Sequence, residues 1–327
     1  MKELAEQATG NPAVEVQNLV KRYATVQAVN DLTFTINYGE IFGLLGPNGA
    51  GKTTTIRMIL DIIKPTSGQI SVLGGPMSEA TKAQIGYLPE ERGLYENMTL
   101  LDTLLFLGQL KGLSRRTARQ RTEQYLHEVD LWEAHDRQIK ALSRGMNQKA
   151  QFVAAILHEP ALIIADEPFS GLDPVNTRVI KKLLYTMRDR GTAIVMSTHQ
   201  MHQVEEMCQR ILLIDRGRQV LYGPLQEIRQ RFAGNAVEVE LRGHVDQVPG
   251  VAHLNYANGS YRMVLEEGVQ PETVLKTLVQ CPDVTVERFA PVQTALDEIF
   301  VQVVGRSLSA EELPSAEIVV AGEERTP

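Results

Sequence analysis

The stretch Gly46-Pro47-Asn48-Gly49-Ala50-Gly51-Lys52-Thr53-Thr54 (GPNGAGKTT, residues 46–54) decides the fold of this chain. It matches the pattern G-x-x-x-x-G-K-[ST]. The apolar run at residues 41–45 before it is typical of a buried strand, and apolar residues recur at helical spacing over residues 55–63 after it. A strand, a glycine-rich loop and a helix are the context in which this pattern predicts a phosphate-binding loop.

The residue types of the loop indicate what it binds. Glycines let the backbone approach a ligand closely, and the N–H groups at the start of a helix attract an anion. Lys52 is placed to reach the β- and γ-phosphates of a nucleotide, and the Thr53 hydroxyl to ligate Mg²⁺. An ordinary glycine turn before a helix is the alternative, and the complete motif with correct flanks disfavours it.

A second candidate site follows the apolar run at residues 161–165. This run predicts a buried parallel strand that delivers Asp166 and Glu167 to its carboxyl end, where α/β sheets bind ligands. Asp166 is a candidate Mg²⁺ ligand, and Glu167 a candidate base that polarises the attacking water. His199 ends the next predicted strand and is a candidate γ-phosphate ligand. The structural alternatives are a helix-terminal carboxylate pair and a packed histidine.

Composition bounds the class of protein. The 327 residues allow two domains, and 43% hydrophobic with 22% charged residues is typical of globular proteins. A net charge of −7 argues against a nucleic-acid partner. No run approaches the ~18 apolar residues of a spanning helix, and residues 1–10 have no signal-peptide core. Two cysteines predict no disulfide framework. We therefore expect a cytosolic chain whose membrane role, if any, comes through a partner.

The chain in order predicts an α/β domain followed by a smaller unit. Residues 1–12 are predicted to be flexible. Alternating apolar residues at 14–16 and 34–36 predict an antiparallel β layer beside the parallel sheet, and residues 99–158 an all-α insertion with a leucine face at 100, 104, 107 and 110. The first domain is expected over residues 13–233. Residues 235–305 predict a small α+β domain, and the acidic residues 306–327 a disordered tail.

The order of motifs resembles the ATP-binding subunit of ABC transporters over residues 14–232. Tyr23 corresponds to the family's base-stacking aromatic, residues 46–54 to its Walker A loop, and Glu90 to the position of its Q-loop glutamine. LSRGMNQK resembles the signature LSGGQ, LIIADE the Walker B strand, and SGLD the D-loop. His199 corresponds to the switch histidine. The resemblance implies a P-loop NTPase core of the ABC ATPase type, with an all-α signature subdomain.

At two motifs this sequence departs from the usual family pattern, and the departures indicate a particular branch of the family. The signature keeps Ser143 and Gly145, which the family places against the γ-phosphate, but carries Arg144 and Met146 where glycine and glutamine are usual. Glu90 replaces an amide by a carboxylate, which leaves its role open. These features, and the ending LDEIFVQVVG, resemble the ABC-2-type exporter branch with its small C-terminal domain.

The resemblance implies ATP and Mg²⁺ as ligands, and a partner copy of the chain arranged head to tail. It also implies a membrane permease docked near Glu91–Met98, and a peripheral location on the cytoplasmic side of the membrane. The implied catalytic residues are Glu167, His199 and Glu90; the metal ligands are Thr53, Asp166 and Glu90; and the nucleotide contacts are Tyr23, Gly46, Pro47, Asn48, Gly49, Ala50, Gly51, Lys52, Thr53, Thr54, Ser143, Gly145 and Asp173.

Three other functions compete with that of an exporter ATPase. Soluble ABC ATPases that resemble translation factors carry two cassettes, whereas this chain has one. ATPases of DNA repair insert long coiled coils between Walker A and the signature, and the interval between Thr54 and Leu142 is too short for them. A binding module without catalysis is disfavoured because Lys52, Asp166 and Glu167 are all present.

Overall fold

The computed structural model describes residues 11–91, 93–232, 235–257, 259–266, 268–281, 284–292 and 294–309, with side chains as far as residue 304. Two compact units meet in the chain at Pro224 and Leu225. Most of the segment predicted to be flexible and most of the predicted disordered tail therefore lie outside the described residues. The helix at Leu225–Phe232 belongs to the second unit, whereas the sequence predicted the first domain to run to residue 233.

The first unit contains an antiparallel layer and a larger sheet, with helices between and after the strands. In chain order its elements are β1 (Val14–Arg22), β2 (Gln27–Ile36), β3 (Ile41–Leu45), α1 (Lys52–Ile59), β4 (Ser67–Val72), α2 (Glu79–Ala83), β5 (Ile85–Leu88), α3 (Leu100–Leu110), α4 (Arg115–Glu128), α5 (Arg144–Ile156), β6 (Leu162–Asp166), α6 (Pro174–Asp189), β7 (Ala193–Thr198), α7 (Met201–Met207), β8 (Arg210–Asp215) and β9 (Arg218–Pro224).

The six-stranded sheet determines where the site lies. Its strand order is β5-β6-β7-β3-β8-β9, and only the pairing of β8 with β9 is antiparallel. Every residue of β3, β6 and β7 is buried, which is why these strands are continuous apolar runs rather than alternating ones. Because β6, β7 and β3 are parallel neighbours, the residues that follow them meet at one edge of the sheet.

The antiparallel layer has the order β2-β1-β4. Val14 pairs with Ile36 and Val16 with Phe34, and all four side chains are buried. The alternation that predicted this layer thus corresponds to one face packed on the core. The predicted fold class, a parallel sheet with an antiparallel layer, an all-α insertion and a small α+β unit, is confirmed.

Helices α3, α4 and α5 form the all-α insertion. Each begins at a hydroxyl side chain (Thr99, Ser114 or Ser143) that accepts a bond from a backbone N–H of the first turn. The leucine face of α3 divides: Leu100 and Leu104 are fully buried, whereas Leu110 is 64% exposed. No helix among the described residues is long and apolar enough to cross a membrane.

The second unit is an antiparallel sheet with helices. Its elements are α8 (Leu225–Phe232), β10 (Ala236–Arg242), β11 (Val251–Ala257), β12 (Ser260–Leu265), α9 (Pro271–Val279), β13 (Thr285–Pro291) and α10 (Leu296–Ser309), in the sheet order β11-β12-β10-β13. Val237, Val239 and Met263 pack with Val274 and Leu278 of α9 in its core. Strand β11 was not predicted, because it lies at the sheet edge with mostly exposed residues.

Candidate functional site

Two glycines fix the course of the loop between β3 and α1. Gly46 (φ 147°) and Gly51 (φ 112°) have positive φ angles that side chains disfavour. A Cβ at Gly46 would overlap the carbonyl oxygen of Ile214, and one at Gly51 that of Ala28. The loop therefore needs glycine at both positions for close backbone packing. Helix α1 begins at the residue after Gly51, so its free N–H groups face the cavity below the loop.

Lys52 is held across the loop. Its Nζ donates to the carbonyl oxygens of Gly46 (2.7 Å) and Pro47 (3.1 Å), and the residue is only 9% exposed. Burial lowers the pKa of Lys52, while the carboxylates of Glu167 and Asp166 act in the opposite direction. Two backbone carbonyls thus position the ammonium group near the carboxylates of Glu167 and Asp166, where it can bind an anionic ligand.

Asp166 and Thr53 present oxygen ligands at the same place. The Thr53 hydroxyl donates to Oδ2 of Asp166 over 3.4 Å, and Asp166 is 3% exposed. Burial raises the pKa of Asp166, and the nearby Glu90 and Glu167 raise it further. These hydroxyl and carboxylate oxygens fit Mg²⁺, which a protein holds through a few side chains together with phosphate and water. No group of three or more His, Cys, Asp or Glu residues in the described part of the chain is placed to hold a metal by itself.

Glu167 has a strained backbone conformation, and hydrogen bonds hold its carboxylate in place. Its backbone is left-handed (φ 49°), a conformation that non-glycine residues adopt at a cost and that clusters at functional sites. Its carboxylate accepts bonds from the Thr198 hydroxyl (3.1 Å) and the His199 backbone N–H (3.0 Å). The Nδ1 atom of His199 lies 2.6 Å from Oε1 of Glu167. The carboxylate is therefore fixed by the end of strand β7.

A cavity of about 430 Å³ gathers most of the candidate residues. Ala28, which the sequence did not single out, is also part of its wall. Thr198 was missed as well. Its only signal was a hydroxyl residue at the end of the strand beside Glu167. The predicted residues that line the cavity are Asn48, Gly49, Ala50, Gly51, Lys52, Thr53, Thr54, Glu90, Asp166, Glu167 and His199.

Six predicted nucleotide contacts do not line this cavity, and four of them lie outside the phosphate loop: Tyr23, Ser143, Gly145 and Asp173. Tyr23 is 47% exposed, and the ammonium group of Lys21 lies 5.2 Å from its ring centre. Gly46 and Pro47 do not line the cavity either, but their carbonyls position Lys52.

The signature residues form a second cluster with the loop after β6. The Ser143 hydroxyl accepts from the N–H of Met146 (3.2 Å) and begins α5. Arg144 donates from Nη2 to the Ser170 hydroxyl (3.4 Å). Asp173 accepts from two backbone N–H groups at the start of α6, and hydrogen bonds from Asn176 lower its pKa. The bond from Arg144 to Ser170 joins the signature helix to the segment that follows Glu167.

Comparison with protein families identifies both units. Residues 29–170 match the profile of the family described as "ABC transporter". Residues 223–304 match the family described as "ATP-binding protein DrrA1-3-like, C-terminal domain".

Individual relatives agree with the family profiles. An uncharacterized ABC transporter ATP-binding protein, YhaQ, of Bacillus subtilis is 41% identical over 68% of this chain and 75% of its own length. The Nod factor export ATP-binding protein I of Rhizobium meliloti is 32% identical over 94% of this chain and 92% of its own. A solved ATP-binding subunit of an ABC transporter has a TM-score of 0.64 and 34% identity, covering 67% of this chain and 93% of that one. The chain therefore belongs to the ATP-binding proteins of ABC transporters and is an ATPase of that family.

Proposed function

We propose that this chain powers an exporter of the ABC-2 type by hydrolysing ATP, while a separate membrane permease carries the substrate. The observation that carries the proposal is the grouping of Lys52, Asp166 and Glu167 around one cavity of about 430 Å³. Export is supported by the relative whose name assigns it to Nod factor export, which aligns with 94% of this chain. The same relative matches both units, so the second unit is part of the comparison.

The charged and hydroxyl-bearing residues discussed above, together with His199, each have a proposed role. Lys52 binds the β- and γ-phosphates, and Thr53 and Asp166 hold Mg²⁺, with Glu90 as a further oxygen ligand. Glu167 takes a proton from the attacking water. His199 lies 2.6 Å from Glu167 in this structure, so its release toward the γ-phosphate would free a carboxylate lone pair for that water.

A second copy of the chain is proposed to complete the site. Ser143 and Gly145 do not line the cavity of their own chain, yet they stand at the positive N-terminal end of a helix of 13 residues. Two chains arranged head to tail would aim this helix end of one chain at the γ-phosphate held by Lys52 of the other. Tyr23 and Asp173 would then serve the same shared site.

The permease is proposed to dock near Glu91–Met98 at the cytoplasmic side of the membrane. Within this segment, Arg92 lies outside the described residues. Tyr95 is 48% exposed and packs edge-on against Phe106, which is 41% exposed, with ring centres 5.5 Å apart. Leu110, 64% exposed, belongs to the same helix as Phe106. Exposed apolar residues grouped in this way are typical of an interaction surface.

Replacing both docking side chains tests this surface. Leu94→Ala with Tyr95→Ala should weaken co-purification of the permease from detergent-solubilised membranes, because anchor residues contribute ~2 kcal/mol or more each. The isolated variant should still bind ATP. Tyr256→Ala is the matched control, since Tyr256 is a 58% exposed tyrosine of the second unit. If co-purification and transport are both undiminished, the permease does not dock at this surface.

We also propose that the two units have different functions. The first unit, which ends at Pro224, is the ATPase domain, and the second unit, which begins at Leu225, is an accessory domain for interaction or dimer stabilisation. A chain truncated after Pro224 should therefore bind ATP with the affinity of the full chain, measured by calorimetry. Loss of binding by a folded truncated chain would assign the accessory domain to the nucleotide site.

A further inference from the structure

The two carboxylate oxygens of Glu167 have different partners. Oε2 accepts a hydrogen bond from the Thr198 hydroxyl (3.1 Å). Oε1 accepts one from the backbone N–H of His199 (3.0 Å) and lies 2.6 Å from Nδ1 of the same residue. Thr198 and His199 are neighbours in the chain, yet their side chains hold opposite oxygens of one carboxylate. The roles of the two oxygens can therefore be separated.

The Thr198 hydroxyl has only one direction in which to donate its proton. Its oxygen accepts a hydrogen bond from the backbone N–H of Gln200 (3.1 Å), the residue just before α7. A carboxylate oxygen only accepts, so the single proton of the hydroxyl points to Oε2 of Glu167. Thr198 is 1% exposed, which keeps water from competing for this bond. The start of α7 thus orients the hydroxyl toward the carboxylate.

The backbone brings Thr198 and Glu167 together. Strands β6 and β7 are parallel neighbours with Asp166 opposite Ser197, and the N–H of Glu167 donates to the carbonyl oxygen of Ser197 (2.9 Å). The pairing therefore continues one residue beyond β6, to Glu167, whose backbone is left-handed (φ 49°). A strained residue of this kind persists only where its surroundings determine its position. Strand β7 holds Glu167 through both a backbone bond and a side-chain bond.

Burial distinguishes the partner of Oε2 from the partner of Oε1. The side chain of His199 is 61% exposed and lines the cavity at the phosphate loop. Thr198 is buried and does not line that cavity. An exposed ring can turn toward a ligand in the cavity, whereas the buried hydroxyl would have to give up two hydrogen bonds to move. Release of His199 would therefore free a lone pair on Oε1 and leave the bond at Oε2 in place.

We propose that Thr198 is a positioning residue that anchors Oε2 of Glu167, so that Oε1 is the oxygen that acts as the base. This inference rests on the proposed role of Glu167 and deepens it. The attacking water gives a proton to Oε1 as its oxygen bonds to the γ-phosphorus. The bond from the γ-phosphorus to the bridging oxygen breaks, and its electron pair stays on ADP. Thr198 acts through Glu167, because a carboxylate anchored at one oxygen cannot rotate its other oxygen away from the water.

Steady-state ATP hydrolysis by the full chain provides the first test. Thr198→Val and Thr198→Ala both remove the hydroxyl, and alanine fits wherever threonine fits. For both variants, kcat should fall about ten- to a hundredfold, because a general base loses rate steeply when it is misplaced. KM for ATP should stay within about twofold of the parental value, because Thr198 does not line the cavity. Thr198→Ser keeps the hydroxyl and should retain most of the parental kcat.

Thr192→Val is the matched control at the other end of the same strand. Thr192 precedes β7, is 8% exposed and donates from its hydroxyl to the carbonyl oxygen of Pro160 (3.1 Å). Its replacement removes a buried hydroxyl bond of the same length, so the melting temperature should fall as it does for Thr198→Val. The kcat of Thr192→Val should stay parental. An equal fall of kcat in this control would mean that loss of stability lowers turnover, and it would overturn the inference.

The Glu167→Gln background provides the second test. No carboxylate base is left to position there, so adding Thr198→Val should change the residual turnover by less than about twofold. A further fall as large as in the parent would show that Thr198 acts elsewhere. Parental kcat in Thr198→Val and Thr198→Ala, or a Thr198→Ser chain as slow as Thr198→Ala, would also overturn the inference while the role of Glu167 stands. Parental turnover of Glu167→Gln itself would instead contradict the proposed role of Glu167.

Discussion

Two cavities of similar size in the first unit have different linings. The cavity at the phosphate loop (about 430 Å³) is lined by charged side chains that the protein itself holds in place, such as Lys52 and Glu167. The cavity beside α3 and α5 (about 400 Å³) has more apolar side chains, among them Leu94, Leu107 and Leu110, together with the charged Glu79, Lys82 and Lys111. Among the described residues, three buried side-chain atoms without a hydrogen-bond partner belong to residues of the second cavity, Gln151 and His158, and none belongs to a residue of the first.

The difference indicates two kinds of ligand. A cavity whose charged groups are already positioned by backbone and side-chain hydrogen bonds is preorganised for a small anionic ligand. Binding then costs little free energy, because few groups have to rearrange. A cavity with an apolar lining is stabilised when a partner covers it, because the partner removes the apolar surface from water. Substitutions in the two cavities should therefore separate nucleotide chemistry from partner recognition.

The largest effect is expected at Glu167. Glu167→Gln keeps the shape of the side chain and removes its basicity, so turnover should fall by ~10²–10⁴-fold, the usual contribution of general-base catalysis. ATP affinity, measured by calorimetry, should stay near that of the parent. Hydrolysis at the parental rate would give Glu167 another role.

The next effect is expected at Lys52. Lys52→Ala removes a cation from two phosphates, and charge-assisted bonds of this kind contribute ~1.5–3 kcal/mol each, so ATP affinity should fall at least tenfold. Lys181→Ala is the matched control, since Lys181 is 8% exposed and pairs with Glu206 instead of lining the cavity. Equal calorimetric affinities for Lys52→Ala and the parent would contradict the assignment of the phosphate loop.

A smaller effect, on stability, is expected from His158 in the second cavity. Its pKa is about 4 in the folded chain, against the ordinary value of 6.5. As the pH falls, the unfolded chain binds the proton before the folded chain does, so the pKa difference has no effect above about pH 6.5 and lowers the free energy of unfolding progressively as the pH falls toward 4. Between pH 7 and pH 4.5 the loss is about 2–3 kcal/mol. Urea unfolding of His158→Gln at both values should show a loss smaller by that amount. An equal loss in parent and variant would place the acid sensitivity elsewhere.

Eleven of the residues that line the first cavity were singled out from the sequence, because their patterns are local. A glycine-rich loop, a buried strand and an acidic pair each occupy a short run of residues, and parallel strands bring their ends together. Thr198 and Ala28 were missed because their roles depend on which strands are neighbours. Tyr23, Ser143, Gly145 and Asp173 do not line the cavity of their own chain, and their assignment stays a prediction about two chains.

The second cavity was beyond the reach of sequence patterns. Leu107 and Leu110 continue the helical spacing of Leu100 and Leu104, so the sequence gives no sign that the leucine face leaves the core. The sequence also does not indicate which buried glutamine has a hydrogen-bond partner, because Gln148 and Gln151 differ only in the atoms that surround them. Strand β11 was missed for a related reason: an edge strand with exposed side chains has no apolar alternation to detect.

In the proposed dimer, Ser143 of one chain completes the site in which Lys52 of the other chain binds ATP. Sedimentation of the Glu167→Gln variant with saturating Mg²⁺ and ATP tests it most directly, because slow hydrolysis preserves the bound state. We expect a monomer without nucleotide and a dimer with ATP, and a return to monomer when Ser143→Ala is added to the same variant. A Glu167→Gln chain that binds ATP and stays monomeric, or a dimer indifferent to Ser143, would contradict the shared site.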